Sequence, residues 1–355
     1  MDCFAEPVIG RAFARPVGSQ RQGLASGHDN GQMIPPALPA ELKAALDARL
    51  QGLSRHEIAE RAALISRTYR DGGASSVIAS EQDALAYALA RMPATYAAVS
   101  ACLNALSEAR PDFAPKRLLD VGAGPGTATW AAAEAFASLQ DFTLLDANSV
   151  LRSLALDLCG DSMRLKAIAY RRGPAGAALA AAAPSDLVVA SYMIGECNAQ
   201  EQGALAEQMW RATRDTLLVV EPGTPAGYRG IIALRQRLIA LGAKVVVPCP
   251  HDEMCPLQAP DWCHFTQRLP RLRAHMQLKA AELPYEDEKF SYIVLSRKPV
   301  APRFTRVLAQ PVVTKVEVTA KLCSPDGLRT EKVPHRDKVA YARARRWRWG
   351  DAVID

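Results

Sequence analysis

The sequence has no apolar run that approaches the ~18 residues needed to cross a membrane, and no apolar segment near its beginning of the kind that a secretory signal carries. Its 8 cysteines are few for 355 residues with ample material for a core, which argues against a disulfide-bonded scaffold. We therefore expect a protein of a reducing, cytoplasmic compartment that has no membrane partner.

Composition and charge are not extreme either. With 49% hydrophobic and 23% charged residues, the chain is long enough for two globular domains, and its net charge of +6 is modest. The exception is the segment 1–32, which is rich in glycine, serine, arginine and glutamine and is expected to be disordered. This segment is typical of an upstream extension or of a start placed too early, with ordered sequence beginning near Met33.

The hydrophobic pattern divides the remaining chain into three parts. Apolar residues at helical spacing predict several helices between residues 38 and 112, with Pro93 opening the last of them. From Lys116 onward, short apolar runs alternate with helical segments, which predicts a mostly parallel, doubly wound sheet with ligands at the carboxyl ends of its strands. Beyond residue 300, alternation over residues 312–319 predicts a strand in a small β extension.

A glycine-rich turn follows the first predicted strand of the sheet. The spacing Asp120-x-Gly122-x-Gly124-x-Gly126 leads into a helix, where glycines let the backbone approach a ligand and free N–H groups point at it. Asp146 ends the next strand, a position from which a carboxylate can hold ribose hydroxyls. Without the G-x-G-x-x-G spacing, the turn resembles the S-adenosylmethionine loop of class I methyltransferases more than a dinucleotide site.

A motif that would specify a methyl acceptor is missing. Base-methylating enzymes usually carry Asn/Asp-Pro-Pro-Tyr/Phe after the fourth strand, whereas this chain has Ala-Ser-Tyr-Met-Ile-Gly-Glu at 190–196. Tyr192 and Glu196 are candidates to face a substrate, but nothing specifies a nucleophile or a base. Cys197 also lacks the preceding proline of cytosine-5 enzymes. A pocket that binds the cofactor without methylating is therefore a credible interpretation.

Four of the cysteines have the pattern of a metal site. Their spacing is C-x5-C-x7-C-x59-C, at Cys249, Cys255, Cys263 and Cys323. Four thiolates are the ligand set of a structural zinc or of an iron–sulfur cluster, and the spacing does not decide between them. Either His251 or His264 could also complete a Cys3His zinc site. Because protein thiolates fill all four positions and the C-x3-C-x2-C loop of radical enzymes is absent, we expect a structural centre.

The segment 336–348 is strongly basic. It carries six lysines or arginines against one acid, Asp337, and interleaves arginine with tryptophan. Guanidinium groups neutralise phosphates and indole rings stack on unpaired bases, which predicts RNA binding. The candidate RNA-binding residues are Arg343, Arg345, Arg346 and Arg348. The alternative is a solvated helix whose tryptophans pack onto the body of the protein.

Taken together, these segments resemble the methyltransferase-like assembly factors of the small ribosomal subunit, which are found in mitochondria and in bacteria. The resemblance extends from about residue 38 to residue 351, and the cysteine block is its most specific part. The segments that carry it are residues 87–91, 93–96, 120–126, 221–225, 249–251, 255–256, 262–265, 286–292, 323–327 and 349–351.

We therefore expect an α/β protein with a class I methyltransferase (Rossmann-like) doubly wound sheet. The expected parts are a disordered extension (1–37), a helical region (38–112), a methyltransferase-like domain (113–300) with a cysteine-rich insertion (248–275), and a β extension with a basic tail (301–355). The resemblance implies a 4Fe–4S cluster on the four cysteines and binding to small-subunit rRNA during assembly. S-adenosylmethionine is expected at the glycine loop, and DNA is not an expected partner.

Two other functions remain open at this point. The first is an active S-adenosylmethionine-dependent methyltransferase acting on small-subunit rRNA. The second is a protein or small-molecule methyltransferase in which the same cysteines hold a structural zinc.

Overall fold

The computed structural model of the protein describes residues 33–70, 75–271 and 283–353. Within these residues the helices are α1 (Ala40–Arg49), α2 (Arg55–Arg70), α3 (Glu81–Ala109), α4 (Thr127–Ala135), α5 (Ser149–Cys159), α6 (Ala175–Ala180), α7 (Ala199–Ala212), α8 (Pro225–Ala240) and α9 (Lys338–Ala344). The strands are β1 (Arg117–Val121), β2 (Asp141–Asp146), β3 (Ala169–Arg172), β4 (Ser185–Ser191), β5 (Thr213–Pro222), β6 (Lys244–Val247), β7 (Phe265–Pro270), β8 (Tyr285–Ser296), β9 (Thr305–Val307), β10 (Val312–Val313), β11 (Glu317–Ser324), β12 (Gly327–Pro334) and β13 (Ala352–Val353).

The larger sheet has the strand order β3-β2-β1-β4-β5-β8-β6, and β7 pairs with β8. Strands β1 to β5 pair in parallel, whereas β8 runs antiparallel to both β5 and β6. A reversed strand inserted beside the fifth parallel strand is the arrangement of class I methyltransferases. The expected doubly wound class I fold is therefore confirmed.

The order of the parallel strands determines where a ligand can bind. From β1 the chain moves outward through β2 to β3, and it then returns to place β4 on the other side of β1. In such sheets the crevice at the carboxyl ends of the two strands on either side of the reversal is the ligand site. The glycine loop follows β1 directly and therefore lies at this crevice.

Helix α3 differs from the prediction that Pro93 opens a new helix. It is one helix of 29 residues with Pro93 in its interior, and it begins at a capping box formed by Ser80 and Asp83. Proline inside a helix costs ~3 kcal/mol through a lost hydrogen bond and a steric clash. The residues from Met92 to Ser100 are all buried, so the packing of the helix against the body of the protein outweighs this cost.

The smaller sheet has the order β10-β11-β9-β13, and β12 pairs with β11. The prediction of one strand over residues 312–319 is wrong, because Val312 pairs with Thr319 and Val313 with Val318 across a tight turn. The Thr314 hydroxyl accepts the Glu317 N–H at 3.0 Å and stabilises that turn. A side chain that bonds its own backbone competes with an extended strand, which explains why the alternating pattern was misleading here.

The beginning of the described chain is attached to α3. Residues 1–32 of the expected disordered extension lie outside the described residues, but Ile34 is buried and exchanges two hydrogen bonds of 2.9 Å with the Asn104 side chain. None of the described helices combines the length and the apolar character that a membrane span requires.

Candidate nucleotide site and cysteine-lined cavity

The glycine loop after β1 has a backbone that only glycine adopts easily. Gly122, Gly124 and Gly126 have φ angles of 67°, 52° and 81°. A Cβ atom at residue 122 would lie 2.7 Å from the Cβ of Met193, so no side chain fits there. The loop leads directly into α4, as predicted, and no side chain caps the N-terminus of that helix.

Asp146 lies at the carboxyl end of β2 and fixes this loop. One of its carboxylate oxygens accepts the Gly124 N–H at 2.9 Å, and the other accepts the Asn148 N–H at 2.7 Å. Burial raises the pKa of the Asp146 carboxyl. Each carboxylate oxygen keeps a further lone pair, so the same group can also accept a hydrogen bond from a ligand hydroxyl.

Asp120, at the end of β1, is completely buried beneath the loop. Its Oδ2 accepts the Thr129 hydroxyl at 2.7 Å, whereas Oδ1 has no hydrogen-bond partner among the described residues. Burial raises the pKa of this carboxyl to about 7. A buried carboxylate oxygen without a donor costs free energy, and the cationic amino group of S-adenosylmethionine is a donor of suitable charge. The residues present therefore fit that cofactor.

We expect Asp120→Asn to stabilise the ligand-free protein at pH 8, by an amount on the order of a few kcal/mol. A carboxyl whose pKa rises from 3.8 to about 7 on folding destabilises the fold when it is ionised. This penalty is complete above pH 7 and disappears below the pKa of 3.8 in the unfolded chain. Urea unfolding at several pH values measures the effect, which should shrink as the pH falls through this window. Asp141→Asn, at an exposed site on β2, is the control, and an equal effect of Asp120→Asn at pH 5 and pH 8 would contradict the explanation.

The crevice next to the loop, after β4, is occupied by protein side chains. Tyr192 has a φ of 56°, which is rare for a residue other than glycine and costs ~1–3 kcal/mol. Its hydroxyl donates to Glu288 Oε1 at 2.9 Å, and Arg91 Nη2 lies 3.5 Å from the same oxygen. The Arg91 guanidinium also lies 5.7 Å from the centre of the Tyr192 ring. Sequence reasoning did not place Arg91 and Glu288 here, because only folding brings β8 and α3 to the end of β4.

The four predicted metal ligands line one cavity of about 30 Å³: Cys249, Cys255, Cys263 and Cys323. The first follows β6, the next two lie in the segment before β7, and the last lies near the end of β11 in the smaller sheet. Burial raises the pKa of the Cys249, Cys263 and Cys323 thiols, to about 12 for Cys323, and the neighbouring cysteines raise it further. These three thiols therefore stay neutral unless a cation lowers their pKa by binding.

The chemistry of the donors around the cavity fits a metal–thiolate centre. In the described ranges no group of three or more His, Cys, Asp and Glu side chains is arranged to hold a metal ion, although the four thiols line the same cavity. His251 also lines the cavity, with Nε2 at 3.7 Å from the Cys323 sulfur and a buried Nδ1 that has no hydrogen-bond partner among these residues.

His264, the other candidate histidine, belongs to an aromatic cluster. Its ring stacks on Trp262 with centres 5.1 Å apart and meets the edge of Trp349 at 4.7 Å. The indole Nε1 of Trp349 donates to the carbonyl of His264 at 2.8 Å. The cluster joins the cysteine segment to the chain just before β13, so His264 contributes to packing between the two sheets.

Three further residues around the cavity were not found from the sequence. Arg235 and Arg306 line it and are both buried, and the Tyr228 hydroxyl lies 3.2 Å from the Cys255 sulfur. A signal for Arg235 did exist, since it lies one helical turn after the buried Ile231 on the inner face of α8. No such signal exists for Arg306, because every residue of β9 is buried and the strand does not alternate.

The structure of the basic segment agrees with the second interpretation given above, in which tryptophans pack onto the body of the protein. Trp347 contacts the small hydrophobic clusters beneath the second sheet, and Trp349 packs against the main core. Neither indole is therefore presented as a free platform for bases. The four candidate RNA-binding arginines are all exposed: Arg343, Arg345, Arg346 and Arg348.

Two further arginines, Arg268 in β7 and Arg271 just after it, lie beside carboxylates that neutralise their charge. Arg268 makes two hydrogen bonds of 2.8 and 2.9 Å to the Asp287 carboxylate, and Arg271 lies 3.4 Å from Glu286. Arg273, two residues further along the chain, lies outside the described residues. Neither Arg268 nor Arg271 therefore has its full positive charge available to a phosphate.

The strand order and the glycine loop define a protein of the class I methyltransferase fold. Residues 81–354 match the family described as "Mitochondrial small ribosomal subunit Rsm22", and the chain belongs to this family. The expected resemblance to methyltransferase-like small-subunit assembly factors is thereby confirmed.

Among curated relatives, the chain is 29% identical over 289 residues to the human "Ribosome assembly protein METTL17, mitochondrial", covering 76% of this chain and 62% of that protein. It is 23% identical over 324 residues to "Rsm22-cox11 tandem protein 2, mitochondrial" of Schizosaccharomyces pombe, covering 75% and 42%. The chain thus spans less than two thirds of the length of either relative.

A solved structure, the magnesium protoporphyrin IX methyltransferase of Synechocystis with bound S-adenosylmethionine, is 10% identical with a TM-score of 0.39 and covers 74% of this chain and 99% of that one. This likeness is weak, and the fold assignment rests on the strand order.

The expectation of a cytoplasmic location is wrong. It was based on the lack of a signal segment and of a membrane span, neither of which distinguishes the cytoplasm from an organelle interior. The matched family and both relatives are described as mitochondrial, which points to the mitochondrion instead.

Proposed function

We propose that the protein assists assembly of the small ribosomal subunit, binding rRNA through a methyltransferase-like domain that a 4Fe–4S cluster stabilises. The observation that carries the proposal is that three cysteines from the segment between β6 and β7 and one from β11 of the smaller sheet line one cavity in a chain of the Rsm22 family. A metal centre there would fasten the smaller sheet to the larger one. It would also fix the position of the exposed arginines, because α9 follows β12 of the smaller sheet.

Two sets of residues would hold the bound groups. The cluster would be held by the thiolates of Cys249, Cys255, Cys263 and Cys323, and when bound it supplies a cross-link between segments that are distant in sequence. S-adenosylmethionine would be held by the crevice residues Asp120, Gly122, Gly124, Gly126 and Asp146. The unpaired buried oxygen of Asp120 supports a ligand at this crevice.

The side chains after β4 support a binding role over methyl transfer. Tyr192, Glu288 and Arg91 bond to one another where a methyl acceptor would enter, and none of them is free to act as a base. The intact glycine loop favours the second candidate, an rRNA methyltransferase. Comparison of rRNA methylation between wild-type and deletion strains distinguishes the two: a methyl group missing from one nucleotide would favour the enzyme.

Anaerobic purification followed by metal analysis is the direct test of the centre. We expect iron and sulfide together with a visible thiolate-to-iron absorption band, and co-sedimentation of the loaded protein with small ribosomal subunits. If the protein contains zinc and has no visible absorption band, the centre is a structural zinc and not an iron–sulfur cluster. Loaded protein that does not associate with subunits would overturn the assembly role.

We expect Arg345→Gln combined with Arg346→Gln to weaken rRNA binding and leave the metal content unchanged. Each arginine that no longer neutralises a phosphate reduces the slope of log K against log salt by roughly 0.7–0.9, so the double variant should have a slope shallower by about 1.4–1.8. Filter binding at several salt concentrations measures it. Arg117→Gln combined with Arg237→Gln, at two exposed sites elsewhere, is the matched control. A slope equal to that of the wild type would exclude these arginines from the RNA interface.

A further inference from the structure

Two guanidinium groups are buried at the cysteine-lined cavity without an acidic partner. Arg235 is 1% exposed and Arg306 is 6% exposed, and both line the cavity together with the four cysteines. Within the part of the chain that the structure describes, neither forms an ion pair, although most other half-buried arginines here lie beside a carboxylate. Burying a charge without a counter-charge is among the most costly arrangements in a protein.

The contacts that these arginines do make fix their positions but leave their charge uncompensated. Arg235 donates from Nη2 to the His251 carbonyl at 2.7 Å, while its buried Nε has no partner among the described residues. Arg306 donates to the carbonyls of Gly350 at 2.8 Å and of Pro248 at 3.3 Å. Carbonyl oxygens are neutral acceptors, so the positive charge of both groups remains at the cavity.

We propose that Arg235 and Arg306 are the counter-charges of an anionic metal–thiolate centre in this cavity. The proposal rests on the proposed function, because it assumes that the four cysteines hold a metal. Four thiolates around one zinc ion, or around a 4Fe–4S core with two positive charges, carry a net charge of two negative units. Two guanidinium groups bring the sum to zero, so the cavity is electrically balanced only when it is loaded.

The positions of the two arginines fit this role. Arg235 approaches from α8, beside the larger sheet, and Arg306 approaches from β9, which pairs with the Cys323 strand β11. Each part of the protein therefore provides a cation as well as thiols. Tyr228, also on α8, adds a hydroxyl at 3.2 Å from the Cys255 sulfur, and such hydrogen bonds to sulfur further stabilise the reduced, more negative state of an iron–sulfur cluster.

The test compares metal release from variants that lose or keep the charge. Arg235→Gln and Arg306→Gln should each lower metal affinity about 10- to 100-fold, as changes around a metal centre typically do, measured by competition with a chelator under anaerobic conditions. Arg235→Lys, which keeps the charge, should retain most of the affinity. Arg237→Gln, on the same helix but exposed and paired with Glu207, is the control and should match the wild type. In iron-loaded protein, both glutamine variants should also have a lower reduction potential.

Each outcome is decisive. Wild-type protein that holds no metal would refute the proposed centre itself, whereas loaded wild type with unchanged affinity and potential in both glutamine variants would refute only the counter-charge role. If a glutamine variant does not fold, Arg235→Lys decides the question. A lysine variant that folds and holds the metal supports the role of charge. A lysine variant that is folded but empty, or that also fails to fold, would assign the arginine a packing role and overturn the proposal.

Discussion

Replacement of Cys323 by serine is expected to abolish stable metal binding and to release the smaller sheet from the larger one. Cys323 is the only one of the four cavity cysteines that belongs to the smaller sheet. Metal binding contributes roughly 10–16 kcal/mol in small zinc domains, so the free energy of unfolding of the loaded protein should fall by several kcal/mol. Metal analysis measures the loss of the centre, limited proteolysis of the segment after residue 301 measures the release of the smaller sheet, and urea unfolding measures the loss of stability. Co-sedimentation with small subunits should also be lost.

The control for this experiment is Cys197→Ser, a half-exposed cysteine outside the cavity. It should keep the metal, the resistance to protease and the association with subunits. The glycine-loop domain of Cys323→Ser should still fold, because its core is formed by β1 to β5 and their helices. If the Cys323 variant bound subunits with the affinity and salt dependence of the wild type, the basic segment would act as an independent arm.

Asp146→Ala is expected to weaken S-adenosylmethionine binding by about 1–3 kcal/mol, or roughly 5- to 150-fold in Kd. The carboxylate would lose its bonds to the ligand, and the Gly124 and Asn148 N–H groups would lose the acceptor that holds the loop against β2. The effect should therefore exceed that of removing a ligand contact alone. Isothermal titration calorimetry on the pure protein measures it.

Asp141→Ala, at the other end of β2, is the matched control and should bind the cofactor as the wild type does. Gly122→Ala should be at least as damaging as Asp146→Ala, because its Cβ would clash with Met193 and its φ would remain positive. Wild-type protein that shows no heat of binding would refute the nucleotide site. Equal affinities of Asp146→Ala and wild type would show that the ligand is held elsewhere.

The sequence predicted the sheet and the glycine loop because their signals are local. Buried parallel strands contain continuous apolar runs, as at residues 187–190 of β4, and a D-x-G-x-G-x-G turn between a strand and a helix leaves few other backbone conformations. The four cavity cysteines were also found from sequence, since repeated ligand residues stand out against a background of scattered ones. For the strands and the glycine loop, one short stretch of chain contained the information.

What could not be predicted depends on pairs of segments that are far apart in the chain. Arg306 and Glu288 have no local pattern that marks them as buried partners of the cavity or of Tyr192. The role of Trp347 and Trp349 was also ambiguous, because an indole beside arginines is equally compatible with stacking on a base and with packing on the core. Proline at residue 93 was misjudged for a related reason, since the packing that tolerates it comes from other elements.

The short strand β13 has a consequence for the order of events during synthesis. Its residues pair with β9, and Gly350 donates its N–H to the Val307 carbonyl at 2.9 Å, so β9 is complete only when the chain has been made through Val353. Strand β9 in turn pairs with Cys323 and carries Arg306. A chain that has been made only as far as Cys323 contains all four cysteines but still lacks β12 and β13, the strands that pair with β11 and with β9. Metal loading at the cavity would then depend on residues as far along the chain as Val353, well beyond the last of the four cysteines.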